Sequence, residues 1–367
     1  MTQPSETPNP TPHDPDTQNL LDAFLIQVKG CGYFGSPLSS AVIAAMREDI
    51  AKGGVFAELT TPWRGESVQD LTNHAVAVRF LGALHHLVLT GAEPALAAAY
   101  PPTADVEAAA ALVPEVGRRQ FDAIARFVQS PPQTNEVRRS GALMAGLLDI
   151  AARTGLPLAL REIGASAGLL QSLDRFHYRF GDVAAWGDPA ARVHVPVDWT
   201  GPAPKIEAPL SVVSRRAVDQ APVDIASDEG ALRLEAYVWA DQVERAERLR
   251  AAILEARANQ IVVEKADAGD WVERAVQLTP GATTVLFHSV VWQYIAAPTR
   301  ARIEAHMQAL SAQATADSPL AWLTFEPPID AIAPKMDVRL RLWPGEVDVL
   351  LGQAHPHGNQ VAWLTAT

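Results

Sequence analysis

Two hydrophobic rhythms divide the chain. From Asn19 to about Gly155, apolar residues recur at the spacing of one helix face, and no stretch alternates as a half-buried strand does. Leu20, Leu21, Phe24 and Val28 make the first such face. Ser36-Pro37 reads as an N-cap with proline in the first turn, and Gly53-Gly54 stops the helix that follows. Ser67-Val-Gln-Asp70 has the form of a capping box with Asp in place of Glu. It predicts one long helix through Val76, Phe80, Leu84 and Leu87 that ends at Gly91. A further helical region covers 104–129, with Pro114 as a candidate interruption. Asn135 is a candidate cap for a last helix carrying Leu143, Leu147 and Ile150 and ending at Gly155. The pattern predicts an all-helical domain over 19–153, serving as a cap or substrate domain.

Beyond Thr154 the rhythm changes. Leu158-Ala-Leu-Arg-Glu-Ile163 is a short apolar run that breaks at Gly164-Ala-Ser-Ala-Gly168, after which Leu169, Leu170, Leu173 and Phe176 fall at helical spacing. This predicts strand, glycine turn, helix. Residues 180–210 are rich in Gly, Pro, Asp and Trp and read as an inserted hairpin or loop. Leu210–Val213, Ile261–Glu264, Thr283–Val291 and Leu320–Phe325 are strand candidates. Helical stretches follow or separate them at Trp239–Ala258, Trp271–Leu278 and from Pro298 through Leu310. Three last apolar runs, Val338–Leu342, Val347–Leu351 and Val361–Leu364, have no helix between them. Strands alternating with helices imply right-handed crossovers and a parallel sheet; the closing cluster implies an antiparallel C-terminal edge. The expected fold is α/β over 154–367, mostly parallel, preceded by the helical domain.

Composition narrows the partners. Thirty basic against forty-two acidic residues give a net charge of −12, a surface that repels phosphate and argues against a general nucleic-acid binder. No run approaches the ~18 apolar residues that a membrane span needs. Residues 1–18, rich in Pro, Thr and Asp, read as a disordered tail with no signal-peptide pattern. The single cysteine, Cys31, rules out an internal disulfide and a multi-cysteine zinc site and fits a reducing cytoplasm. The expectation is a cytoplasmic protein that takes a small-molecule substrate, without nucleic acid, membrane or metal.

The chemistry centres on the glycine loop. Two glycines let the backbone turn and let a ligand approach the main chain. Ser166 at the centre of Gly-x-Ser-x-Gly makes a serine nucleophile the competing reading, with Asp267 and His288, or His355 and His357, available as later triad members. A nucleophile elbow follows several earlier strands, however, and here helix precedes it. A third reading is a non-catalytic ligand-binding protein on the same sheet. His85-His86, inside an apolar helix, read as structural histidines. Asn135, Glu136 and Arg139, in a polar stretch below Pro131-Pro132, are candidate substrate-binding residues, against the plainer reading of a capped helix start. His355-Pro-His357 lies in a Pro/Gly-rich hairpin with no further ligand pattern nearby.

From about Thr154 onward the chain resembles class I S-adenosylmethionine-dependent methyltransferases. The residues that carry the resemblance are Glu162 at the end of the first strand, the loop Gly164-Ala-Ser-Ala-Gly168, Asp219 after the second strand, Asp267-Ala268 after the third, and Phe287-His-Ser-Val-Val-Trp-Gln-Tyr294 on the fourth. Two departures are Ser166, where that family commonly has glycine, and a long segment between the first two strands. The resemblance implies S-adenosylmethionine as cofactor, held by Glu162, Gly164, Ala165, Ser166, Gly168, Asp219, Asp267 and Ala268. It also implies chemistry facing His288 and Tyr294, with His288 as proton acceptor and Trp292 and Tyr294 stacking on the methyl acceptor. The acceptor pocket is expected between helical cap and sheet. Over nearly its whole length the chain also resembles a bacterial family known as domain of unknown function 2332. That resemblance rests on Gly35-Ser-Pro-Leu38, Gln133-Thr-Asn-Glu136 with Arg139-Ser140, Glu162 to Gly168, Tyr237-Val-Trp239 with Asp241-Gln242, and His288 to Tyr294.

Overall fold

Residues 13–328 and 335–364 are described by a computed structural model, and they divide into two units. One runs up to Gln133 and takes in Leu232–Ala246; the other comprises Thr134–Ala231 and the chain from Glu247 onward. The helical rhythm of the first unit is realised as α1 (Pro15–Tyr33), α2 (Pro37–Ala51), α3 (Val55–Leu59), α4 (Val68–Asn73), α5 (Val76–Leu89), α6 (Pro94–Ala99), α7 (Val106–Arg119) and α8 (Phe121–Phe127). Phe24, Met46, Phe56, Phe80 and Val113, all fully buried, knit its core.

Several local expectations change. Helix α1 starts at Pro15 with Asp14 as its cap, so 15–18 are helical; residues 1–12 of the expected tail lie outside the described residues. The Ser67 cap is present, but the helix it opens ends at Asn73, because Ala75 takes a left-handed conformation and α5 starts afresh. Pro114 does not interrupt α7; the break comes at Gln120. Ser36 caps nothing with its own side chain. Its hydroxyl donates to Asp241 Oδ1 (2.5 Å), and Asp241 Oδ2 accepts the Leu38 N–H (3.0 Å), so a residue two hundred positions away caps α2. The pattern places Leu232–Ala246 in the sheet domain, whereas its contacts are with the helices. His85 Nδ1 lies 3.2 Å from the Ala236 carbonyl and its ring packs on Tyr100, a structural role.

The second unit is built on one mixed sheet. Its strands are β1 (Leu158–Ile163), β2 (His177–Phe180), β3 (Ala184–Trp186), β4 (His194–Thr200), β5 (Val212–Asp219), β6 (Val263–Lys265), β7 (Thr283–Ser289), β8 (Leu320–Glu326), β9 (Met336–Trp343), β10 (Val347–Ala354) and β11 (Gln360–Trp363). They lie in the order β3-β2-β4-β11-β10-β9-β8-β7-β1-β5-β6. Strands β6, β5, β1, β7 and β8 are parallel, while β8 to β11 form an antiparallel meander. The remaining helices are α9 (Ser140–Thr154), α10 (Asp228–Ala236), α11 (Val243–Ala258), α12 (Ala268–Ala275) and α13 (Ala297–Ser311). On one sheet face Trp271, Val272, Ile303 and Met307 of α12 and α13 pack on Ile163, Leu286 and Leu320. On the other, Gly146 of α9 lets the helix backbone settle on Leu323, where any Cβ would clash. Covered on both faces, β7 is buried at every position but its last.

Two expectations about this sheet fail. Residues 180–210, expected as an inserted hairpin or loop, do not stand apart from the sheet: β2 and β3 form an antiparallel hairpin, and β2, β3 and β4 extend the sheet past β11, which pairs in parallel with β4. The antiparallel C-terminal cluster is therefore internal, not an edge. And the glycine loop leads into a seven-residue 3-10 turn, Leu169–Arg175, in place of the expected α-helix.

Candidate functional site

The order of the parallel strands reverses between β1 and β7: the chain first builds outward through β5 and β6, then returns to β7 and β8 on the other side. In such sheets ligands bind at the carboxyl ends beside this reversal. Both loops that leave these ends hold strained residues. Ser166 (φ 53) follows β1 and Val290 (φ 54) follows β7, and a β-branched residue at positive φ is an outlier that only surrounding structure can hold. The turn at Val290 brings the Val291 side chain over Gly164, where a Cβ would clash with it, and aims the Val291 N–H at Glu326 Oε1 (3.0 Å).

Side chains alternate along a strand, and Glu162 pairs in register with Phe287. Glu162 and His288 therefore point to opposite faces, and two clusters result. On the α9 face, Glu162 is buried and accepts from Gln171 Nε2 (2.8 Å). Burial pushes its carboxyl up to about 8, with a smaller upward push from Asp219. Ser166 Oγ and Gln171 Oε1 are buried without a hydrogen-bond partner. Asp219 holds the loop closed: its carboxylate accepts the N–H groups of Ser166 (2.8 Å) and Ala221 (2.8 Å). Asn135, the expected helix cap, instead donates to the Ala165 carbonyl (2.8 Å). Gly168 is pressed by Ile261 and Val263. Asp267 caps α12 through the N–H groups of Gly269 (2.8 Å) and Asp270 (3.1 Å). Glu136 caps the turn at Val137–Arg139, and Arg139 Nε donates to the Pro356 carbonyl (2.9 Å), which ties this stretch to the β10–β11 turn.

On the α13 face, His288 is buried and held at both ring nitrogens. Nδ1 lies 2.6 Å from Glu326 Oε1, and Nε2 accepts the indole N–H of Trp322 (3.1 Å). The Trp322 donor fixes the proton on Nδ1, which donates to Glu326. Trp292 stacks on the imidazole (centroids 5.2 Å apart, 16° between planes), and the Arg341 guanidinium lies 4.0 Å above the Trp322 ring. Burial lowers the pKa of Arg341. These residues, with Glu304, Thr324, Pro327, Pro328, Asp337 and Arg339, line a cleft of about 390 Å³. Tyr294 stands apart, largely exposed.

Sequence reasoning found His288 and Trp292 but missed Glu326, Trp322 and Arg341. Trp322, Thr324 and Glu326 alternate along β8 opposite Arg341, Arg339 and Asp337 of β9. That two-residue period of polar groups was the available signal. A wider hollow on the helical unit, about 680 Å³ and lined by Gly54, Glu58, Arg64 and Arg118 among others, contains no buried polar atom without a partner. Among the described residues no group of three or more His, Cys, Asp or Glu side chains is placed to hold a metal ion, and no helix is long and apolar enough to cross a membrane.

A family model described as "Uncharacterized protein conserved in bacteria (DUF2332)" matches residues 22–363. No curated protein matches the chain, and no solved structure does.

Proposed function

We propose, for a chain that belongs to the DUF2332 family, that its sheet unit is an S-adenosylmethionine-dependent methyltransferase acting on a small molecule. The observation that carries this reading is the strand order β6-β5-β1-β7-β8, the order of nucleotide-binding doubly wound sheets, with acidic residues at the carboxyl ends of β1 (Glu162) and β5 (Asp219) and just after β6 (Asp267). The two strained loops at the reversal support it, since such strain persists at binding and catalytic sites.

The residues present fit the cofactor at its polar ends. Ser166 Oγ and Gln171 Oε1 are buried polar atoms that await partners beside Glu162, and Asp219, Asp267 and Ala268 stand at neighbouring strand ends. Glu162 and Gln171 would meet the amino-acid portion, Asp219 the ribose and Asp267-Ala268 the base. The two glycines also have a packing reason: a Cβ at Gly164 would clash with Val291, and one at Gly168 with Ile261 and Val263. The cofactor supplies a methyl group already activated on sulfonium. What remains for the chain is to orient the acceptor and exclude water. His288 is not the proton acceptor in this reading, because its Nε2 lone pair is already taken by Trp322; it positions Glu326.

Calorimetric titration with S-adenosylmethionine and its demethylated product tests the reading. Dissociation constants near the micromolar range are expected, and no heat with either compound would sink it. The serine-hydrolase alternative finds support in the positive φ of Ser166, but its Oγ has no hydrogen-bonded base. Labelling by a fluorophosphonate probe that disappears in Ser166→Ala would reinstate it. Cofactor binding without turnover across a broad acceptor set would favour a ligand-binding protein.

A further inference from the structure

The cleft on the α13 face has chemistry of its own. Its wall is aromatic: Trp292 stacked on His288, and Trp322 set edge-on to both. At one end Arg341 lies on the Trp322 ring with no hydrogen bond or ion pair to any carboxylate among the described residues. Its strand neighbour Arg339 is paired with Asp348 (2.5 Å), whereas Arg341 feels the Asp348 and Glu304 carboxylates only at a distance, with neither in ion-pair contact. At the other end Glu326, 9% exposed, spends Oε1 on His288 and Val291 and leaves Oε2 without a donor. The two residues that follow it are prolines, which have no N–H to offer. Arg341 stands opposite Trp322, four strand positions from Glu326, roughly 13 Å along the strand. One substituted ring with a hydrogen bond at each end covers that span.

We infer that this cleft binds a planar aromatic carboxylate with an O–H or N–H at its far end, the carboxylate on Arg341, the ring against the Trp292–Trp322 wall and the distal donor on Glu326 Oε2. Arginine matches a carboxylate with two parallel donors, and an unpaired buried carboxylate oxygen favours a ligand that brings a donor. Glu326 thereby selects hydroxy- and amino-aryl acids over plain aryl acids. The binding rests on the cleft alone.

The test uses the full chain without cofactor, reading quenching of tryptophan fluorescence and calorimetric heat. The probes are 4-hydroxybenzoate, benzoate and 4-hydroxybenzyl alcohol. The expected order of affinity is 4-hydroxybenzoate, then benzoate, then the alcohol. Arg341→Gln should weaken 4-hydroxybenzoate by about tenfold or more and leave the alcohol unchanged. Glu326→Gln should erase the advantage of 4-hydroxybenzoate over benzoate, with unfolding curves confirming a folded variant. Equal weakening of acid and alcohol by Arg341→Gln, or no binding of 4-hydroxybenzoate at millimolar concentration, overturns the inference. Cofactor binding with no aryl-acid binding removes this inference alone; the converse removes the methyltransferase reading alone.

Discussion

Glu162 shows how burial, not pairing, sets a residue's behaviour. Its carboxyl is raised to about 8 chiefly by desolvation. A folded-state pKa above the unfolded value of 4.5 means the folded chain keeps a proton that the unfolded chain releases. Between pH 4.5 and 8 this residue therefore makes stability fall as pH rises, with a limiting slope of about 1.4 kcal/mol per unit. Glu162→Gln should lose that decline: urea unfolding of the two proteins should show the variant gaining on the parent from pH 5 to pH 9. Parallel pH profiles would mean that Glu162 is solvated in the folded state. His288 teaches the complementary lesson. A histidine at the end of a central strand invites assignment as a base, and sequence gives no view of the Trp322 N–H that ties up its lone pair.

At the scale of elements, caps and glycines that look local are settled by distant partners. Asp241 caps α2 and satisfies the fully buried Ser36 hydroxyl. Asp241→Ala should destabilise by about 2 kcal/mol, and adding Ser36→Ala should recover part of the loss by removing the stranded hydroxyl; additive losses in chemical unfolding would refute that coupling. Gly164→Ala should cost about 2 kcal/mol or more, because the residue has φ 66 and its Cβ would press on Val291. Val291→Ala in the same chain should relieve the steric share and leave the backbone share. An alanine variant that is as stable as the parent would reopen the view that Gly164 makes room for a ligand. The helical spacing of Leu169, Leu170 and Leu173 is real, yet the segment closes as a 3-10 turn. Its three leucines are all buried within a seven-residue segment that ends just before β2 begins.

At the scale of the whole molecule, the C-terminal strand sits inside the sheet. Trp363 on β11 packs 5.2 Å from Trp199 on β4, both buried. Trp363→Ala should therefore cost about 3–5 kcal/mol in chemical unfolding, a core-sized loss, and Trp186→Ala on the true edge strand β3 should cost less. Equal small effects would return β11 to an edge. Helix content before Gly155, the alternation of strands and helices after it, the glycine turn after β1 and the acidic strand ends were all readable from the chain. Each is written in a period of two or 3.6 residues, or in turn chemistry spanning a few positions. Only tertiary structure decided that 180–210 joins the sheet, that 232–246 joins the helices, that Asp219 closes the loop and that Glu326 and Arg341 share a cleft. Those facts depend on which residues far apart in sequence become neighbours, and local periodicity contains no term for that.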